Sequence, residues 1–269
     1  MRFKSLGSGS TGNATLVQSG AAAQREVGCT LLVDCGFGLK SLLLKLEKSG
    51  LAVEEISAIF ITHEHGDHIG CVQALSAKYR IPVWMSAGTA KAMGLSSTAN
   101  TAGLDANSSL LHIAADGVPI DLGDLQITPF TVPHDAREPL QLSCTDGKAK
   151  LGVLTDLGHA TDHVLNHLQG CNALVLECNH DADLLTGSSY PAFLKHRVAG
   201  DYGHLSNDQA AAIAQAVTHS ALRHVVAAHL SQQNNRPERA AHALSEALSC
   251  NASDIVMASA DEGCAWLEV

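Results

Sequence analysis

Apolar and β-branched residues fall in short runs that end at Gly or Asp. Thr15–Gln18, Thr30–Asp34 and Ala58–Thr62 have this form, which predicts strands. Helix-type segments lie between and after them, over Leu39–Lys48 and His68–Tyr79. The theme repeats further on. Asp124–Val132, Leu140–Thr145 and Lys150–Thr155 read as strands, with Asp146-Gly147 as a turn signal for a hairpin. Ala173–Glu177, His224–Ala228 and Asp254–Ala258 read as buried strands, with helices over Asn207–Ser220 and Pro237–Leu248 between them. Two β-rich halves flanked by helices imply a layered α/β sandwich, two sheets face to face with helices outside. Gly88–Ala115 is the least regular stretch and predicts a helix plus an irregular loop. No long linker or fixed-period repeat divides residues 1–269, so the chain is read as one domain.

Composition narrows the class. Hydrophobic residues are 46% and charged residues 16%, the balance of a chain that folds. The opening MRFKSLGSGSTGN has no apolar core after its charges, and no run reaches the roughly 18 apolar residues of a membrane span. These features predict a soluble, cytoplasmic protein without membrane partners. Eight cysteines are scattered without a C-x-x-C pair, which argues for free thiols over a zinc ribbon or redox motif. A net charge of −10 argues against a broad basic surface for gripping a duplex. Bound divalent metals would still make one site positive enough for a phosphate. The 15 histidines direct attention to metal or proton chemistry.

The strongest chemical signal is Thr62-His63-Glu64-His65-Gly66-Asp67-His68, which directly follows the apolar run Ala58–Ile61. In a loop leaving a strand, His63 and His65 can converge on one metal, while Asp67 and His68, at a helix start, turn toward a second. Imidazole and carboxylate ligands suit zinc, manganese or iron alike.

This H-x-H-x-D-H pattern resembles the metallo-β-lactamase superfamily, and the later residues follow in its order. The resemblance implies an αββα four-layer sandwich, two facing mixed sheets with outer helices, holding two divalent metal ions per chain. It assigns His134 as the third ligand of the first metal, Asp156 as the bridging carboxylate and His229 as the last ligand of the second. Asp34 matches the early Asp that orients the His cluster from behind. Asp156 stands where antibiotic-hydrolysing lactamases usually carry Cys, which suits phosphodiesterases, nucleases and thioesterases better.

A second set of motifs is similar to the bacterial YycJ/WalJ family. These are Gly7-Ser8-Gly9-Ser10-Thr11-Gly12-Asn13, Glu177-Cys178-Asn179-His180-Asp181, Tyr190-Pro191, Leu194-Lys195-His196-Arg197, Gly203-His204-Leu205-Ser206-Asn207 and His229-Leu230-Ser231 with Asn234-Asn235. That resemblance implies a 5′ to 3′ DNA exonuclease acting in DNA repair on a single-stranded end. His204-x-Ser206, 25 residues before His229, looks like the His-Ser/Thr element of tRNA 3′-processing nucleases. By that likeness His204 donates the proton to the leaving group, Glu177 supports it, and a metal-bridging hydroxide held with Asp67 attacks phosphorus. Candidate substrate contacts are Ser8, Ser10, Asn13, Asn179, His180, Lys195, Arg197 and Ser206. Rival readings are a small-molecule phosphodiesterase, a glyoxalase-type thioesterase, or a non-catalytic metal-binding regulatory sensor. Oligomeric state is not legible.

Overall fold

The computed structural model describes residues 1–20, 28–95 and 109–269. Among the described residues fourteen strands form two sheets of seven. The first runs, edge to edge, β14 (Leu267–Glu268), β1 (Arg2–Gly7), β2 (Ala14–Gln18), β3 (Thr30–Val33), β4 (Ala58–Phe60), β5 (Val83–Ser86) and β6 (Leu111–Ala114). The second runs β13 (Val256–Met257), β12 (His224–Ala228), β11 (Ala173–Glu177), β10 (Lys150–Leu154), β9 (Leu140–Thr145), β8 (Gln126–Thr131) and β7 (Ile120–Asp121). Pairing is antiparallel from β14 to β3 and from β7 to β10, and parallel from β3 to β6 and from β10 to β13. Each sheet is thus mixed in the same way.

Side-chain alternation sorts three cores. Leu31, Val33 and Phe60 of the first sheet meet Leu142, Val153, Val175 and Val226 of the second between the sheets. The alternate residues Leu32 and Ile59 face outward to α1 (Leu39–Lys48) and α3 (Val72–Tyr79), meeting Leu42, Leu46 and Leu75. On the other outer face, Leu174 and Leu176 pack with Val164 of α5 (Asp162–Leu168), Ile213 of α8 (Asn207–Val217) and Leu244 of α9 (Pro237–Leu248). Central strands covered on both faces are apolar at successive positions, and that is why their runs look continuous. The layers are helix, sheet, sheet, helix, as the sequence implied. Among the described residues no helix is long and apolar enough to cross a membrane. All eight cysteines are free, and only Cys250 is fully exposed.

Several local expectations need correction. The helix expected over His68–Tyr79 is two, α2 (Gly66–Ile69) and α3, broken at Gly70 with φ 21°. A side chain at Gly70 would meet the Cys35 carbonyl oxygen at 2.4 Å, so two loops can approach only over a glycine. Asp254–Ala258 yields only the short β13, because Asp254 instead closes a 3-10 turn by accepting the Asn251 N–H at 2.9 Å. Within Gly88–Ala115 the helix is α4 (Ala87–Ala92), and β6 was not expected; residues 96–108 of that stretch lie outside the described ones. Strands β1 and β5 and the helices α5, α6 (Ala182–Gly187) and α7 (Ala192–Val198) were also not anticipated.

Candidate metal centre

The chemical residues leave one end of both sheets. His63, His65, Asp67 and His68 follow β4, Asp34 ends β3, His134 follows β8, Asp156 follows β10, Glu177 closes β11 and His229 follows β12. Among them Asp34, Asp156 and His229 have φ of 62°, 59° and 55°, the left-handed region rare for side-chain-bearing residues. The other two such non-glycine residues, Arg80 and Ser249, are helix C-caps.

One group comprises His63, His65 and His134; a second comprises Asp67, His68 and His229; Asp156 groups with His63 and His68 and also with His229. His65 Nδ1 and His134 Nε2 face each other at 3.4 Å. Two bonds of about 2.0–2.1 Å to one tetrahedral ion separate their nitrogens by about 3.3–3.4 Å, so this pair fits a shared ion. In the second group His68 Nε2 lies 3.1 Å from Asp156 Oδ2 and 3.7 Å from Asp67 Oδ2, and His229 Nε2 lies 3.6 Å from Asp67 Oδ2. His63 Nε2, His229 Nε2 and Asp156 Oδ2 are buried without a hydrogen bond, the condition of atoms awaiting a cation.

The opposite edges of the rings are held. His68 Nδ1 lies 2.8 Å from Asp34 Oδ2, and His134 Nδ1 lies 3.0 Å from the Gly203 carbonyl oxygen. Thr62 Oγ1 lies 3.0 Å from His63 Nδ1 and 3.1 Å from Asp34 Oδ1, and the Thr62 N–H donates to the same Asp34 oxygen at 2.9 Å. These contacts are satisfied together when each Nδ1 carries the proton, which leaves each Nε2 unprotonated and able to meet a metal. Gly36 sets the second group: a side chain there would lie 1.7 Å from the Asp67 carbonyl oxygen.

Glu177 links the groups to His204. It is fully buried, and its Oε1 lies 2.7 Å from His204 Nδ1 and 3.2 Å from His229 Nδ1. Its Oε2 accepts the Leu157 and Leu205 N–H groups at 3.0 and 3.3 Å. Burial raises the Glu177 carboxyl, but the charge and hydrogen bond of His204, with His229, outweigh it and bring the value down to about 2. Burial likewise lowers His204, yet Glu177 and Asp156 prevail and hold the ring above its ordinary range. His68 shows the same contest: burial opposes protonation, but Asp156 and Asp34 lift it to about 10. Asp34, Asp156 and Glu177 are 3%, 2% and 0% exposed, and carboxylates so buried require compensating cations. Divalent ions would supply them.

A cavity of about 430 Å³ opens over these groups and is lined in part by His65, Asp67, Asp156, His204 and His229. The His204 ring centre is 5.3 Å from that of His134 and 5.3 Å from that of His229, so it stands between the two ligand groups.

The profile of the beta-lactamase superfamily domain matches residues 30–230. The chain belongs to the metallo-β-lactamase superfamily of metal-dependent hydrolases. It is 34% identical over 248 residues to "Exodeoxyribonuclease YycJ" of Bacillus anthracis, covering 92% of this chain and 89% of that one. It is 31% identical to "Exodeoxyribonuclease WalJ" of Streptococcus pneumoniae, covering 89% and 85%. The fold matches YhfI from Bacillus subtilis with a TM-score of 0.72 at 18% identity, covering 100% of this chain and 99% of that one. Human tRNase Z, short form, matches with a TM-score of 0.64 at 18% identity, covering 100% and 99%.

Candidate substrate contacts divide by position. Ser10, Asn179 and Arg197 line the cavity. The others do not, each for a visible reason. Ser8 Oγ accepts the His229 N–H at 2.8 Å, and Asn13 Nδ2 is turned inward, 3.3 Å from Asp67 Oδ2 and 3.1 Å from His68 Nε2. Ser8 therefore braces His229, and Asn13 braces Asp67 and His68, all three candidate ligands. Ser206 caps α8 by accepting the Gln209 N–H, Lys195 Nζ donates to the Thr186 carbonyl, and His180 is 3% exposed. Sequence reasoning gave no role to Thr62, Asp135 or Asn234. Thr62 directly precedes the HEHGDH motif, and Asp135 directly follows His134; its Oδ2 accepts the Arg197 Nε–H at 2.6 Å at the cavity wall. Asn234 lines the cavity with a buried Oδ1 that lacks a partner.

Proposed function

We propose that this chain is a dinuclear metal-dependent phosphodiesterase acting as a 5′ to 3′ exonuclease on DNA. The observation that carries the reading is His204, lining the cavity between both ligand groups with Nδ1 committed to Glu177. Its other nitrogen is thereby left for the cavity.

His63, His65 and His134 would hold one ion, and Asp67, His68 and His229 the other, with Asp156 shared. Zinc, manganese or iron bound there would supply Lewis acidity and a water of lowered pKa. The protein's own chemistry lies at the departing oxygen. An alkoxide leaves poorly without a proton, and an imidazole held protonated by a buried carboxylate can supply one. Thiolate needs no such donor, so the His204–Glu177 pair favours phosphodiesters over thioesters. Relatives named exodeoxyribonucleases support DNA as the substrate.

Manganese-loaded and zinc-loaded protein should be incubated with end-labelled single-stranded and duplex DNA and RNA, beside a chromogenic phosphodiester and a thioester. DNA shortened from its 5′ end, with kcat/KM on the phosphodiester above that on the thioester, is the expected result. The reverse ranking refutes it.

A further inference from the structure

On and beside α7, whose Leu194, Arg197 and Val198 line the cavity, stand rings that the core does not explain. Aromatic residues are scarce, at 4% of the chain. Phe3, Phe60 and Phe130 are fully buried, as burial energetics require of most such rings. Phe193 and Tyr202 are instead 74% and 63% exposed, the two aromatic side chains among the exposed large hydrophobics of the described residues. Tyr190 lines the cavity itself, and Tyr202 adjoins Gly203 and His204, which also line it. Phe193 stands four residues before Arg197 on α7, so the two are neighbours on one helix face.

Charge follows the same strip. The helix reads Ala-Phe-Leu-Lys-His-Arg-Val, basic and free of acids in a chain of net charge −10. Arg197 is 61% exposed and uses only Nε on Asp135, so the rest of its guanidinium faces outward. Rings beside a guanidinium that keeps its two terminal amino groups free of Asp135 match a strand whose bases present flat faces and whose linkages carry charge. A small phosphodiester or a buried duplex base would leave the rings without a partner.

We propose that Tyr190, Phe193 and Tyr202 form a base-stacking platform at the mouth of the metal centre, with Arg197 meeting a phosphate, so that the chain engages single-stranded DNA. This rests on the nuclease reading for the identity of the polymer. Phe193 and Tyr202 have no place in the core, so replacing them tests binding without dismantling the fold.

The test is the affinity of the full-length, metal-loaded protein for two fluorescent, nuclease-resistant phosphorothioate single strands, one with ordinary bases and one with abasic sites. Stacking predicts tighter binding of the strand with bases, and a loss on the order of tenfold for that strand in Phe193→Ala and in Tyr202→Ala. Affinity for the abasic strand should not move, and Phe193→Trp should keep the preference. Equal wild-type affinity for both strands overturns the platform, as do variant losses that are the same on both. Base-dependent binding that requires Phe193 upholds the platform even if unmodified DNA is not cut, which refutes only the nuclease reading. Cutting with base-independent binding overturns the platform alone.

Discussion

Glu177→Gln tests whether one buried carboxylate serves both chemistry and metal retention. The glutamate accepts from four donors: His204 and His229 at one oxygen, Leu157 and Leu205 N–H at the other. An amide of the same shape can accept at one end only. Turned either way, it leaves two of those four donors facing an NH2 group. Hydrogen bonds to a charged acceptor are worth about 1.5–3 kcal/mol each, so the two lost bonds amount to about 3–6 kcal/mol. Removing a buried charge offsets part of this, and a net destabilisation of about 2–4 kcal/mol is expected. With His204 no longer fixed or held protonated, turnover should fall about 10²–10⁴-fold on a phosphodiester with an alkoxide leaving group. Through His229, metal affinity should fall about 10–100-fold. The assays are chemical denaturation, elemental analysis and kcat at saturating metal on substrates with alkoxide and nitrophenolate leaving groups. Unchanged turnover on the alkoxide substrate, with metal restored, would refute the argument.

Other replacements separate the roles of neighbouring residues. His204→Ala should retain both metal content and fold while losing about 10²–10⁴-fold in turnover, with a smaller loss for nitrophenolate; equal losses on both substrates would remove the proton-donor role. Asp156→Ala should lower metal occupancy in both groups, read by elemental analysis, because its carboxylate adjoins each of them. Gly36→Ala should weaken metal binding with no ligand altered, since the added carbon displaces the segment carrying Asp67; metal titration showing wild-type affinity would contradict the geometry.

Much of the framework was legible because central strands announce themselves. Ala173–Glu177 and His224–Ala228 are largely apolar runs covered on both faces, Leu140–Thr145 alternates apolar and polar residues ahead of the Asp146-Gly147 turn, and the bounds of all three agree with the sequence reading. Strand β1 was hidden because Arg2, Lys4 and Ser5 break its run and its end merges with a glycine-rich loop. The short helices α6 and α7 were hidden as well, since seven residues or fewer hold too little periodicity to register. Metal-ligand candidates concentrated at one motif could be read from spacing, whereas Thr62 could not. Its value is a hydroxyl lying between Asp34 and His63, and that depends on β3 and β4 lying side by side.

The deepest part of the site is invisible to any pattern of residue types. Asp34, Asp156 and His229 end three strands in a left-handed backbone, a conformation costing about 1–3 kcal/mol for a side-chain-bearing residue. Nothing local compels it, since glycine would adopt it more readily. The surroundings hold two of them there: the Asp34 N–H donates to the Phe60 carbonyl at 2.8 Å, and the His229 N–H donates to Ser8 Oγ at 2.8 Å. Ser8 belongs to the first glycine-rich loop and His229 to the second sheet, 221 residues later. At His229 the strain is therefore borne by a contact between the two halves of the sandwich, and at Asp34 by one within the first sheet. It follows that His229 reaches its place beside the HEHGDH residues only when both sheets have closed on each other.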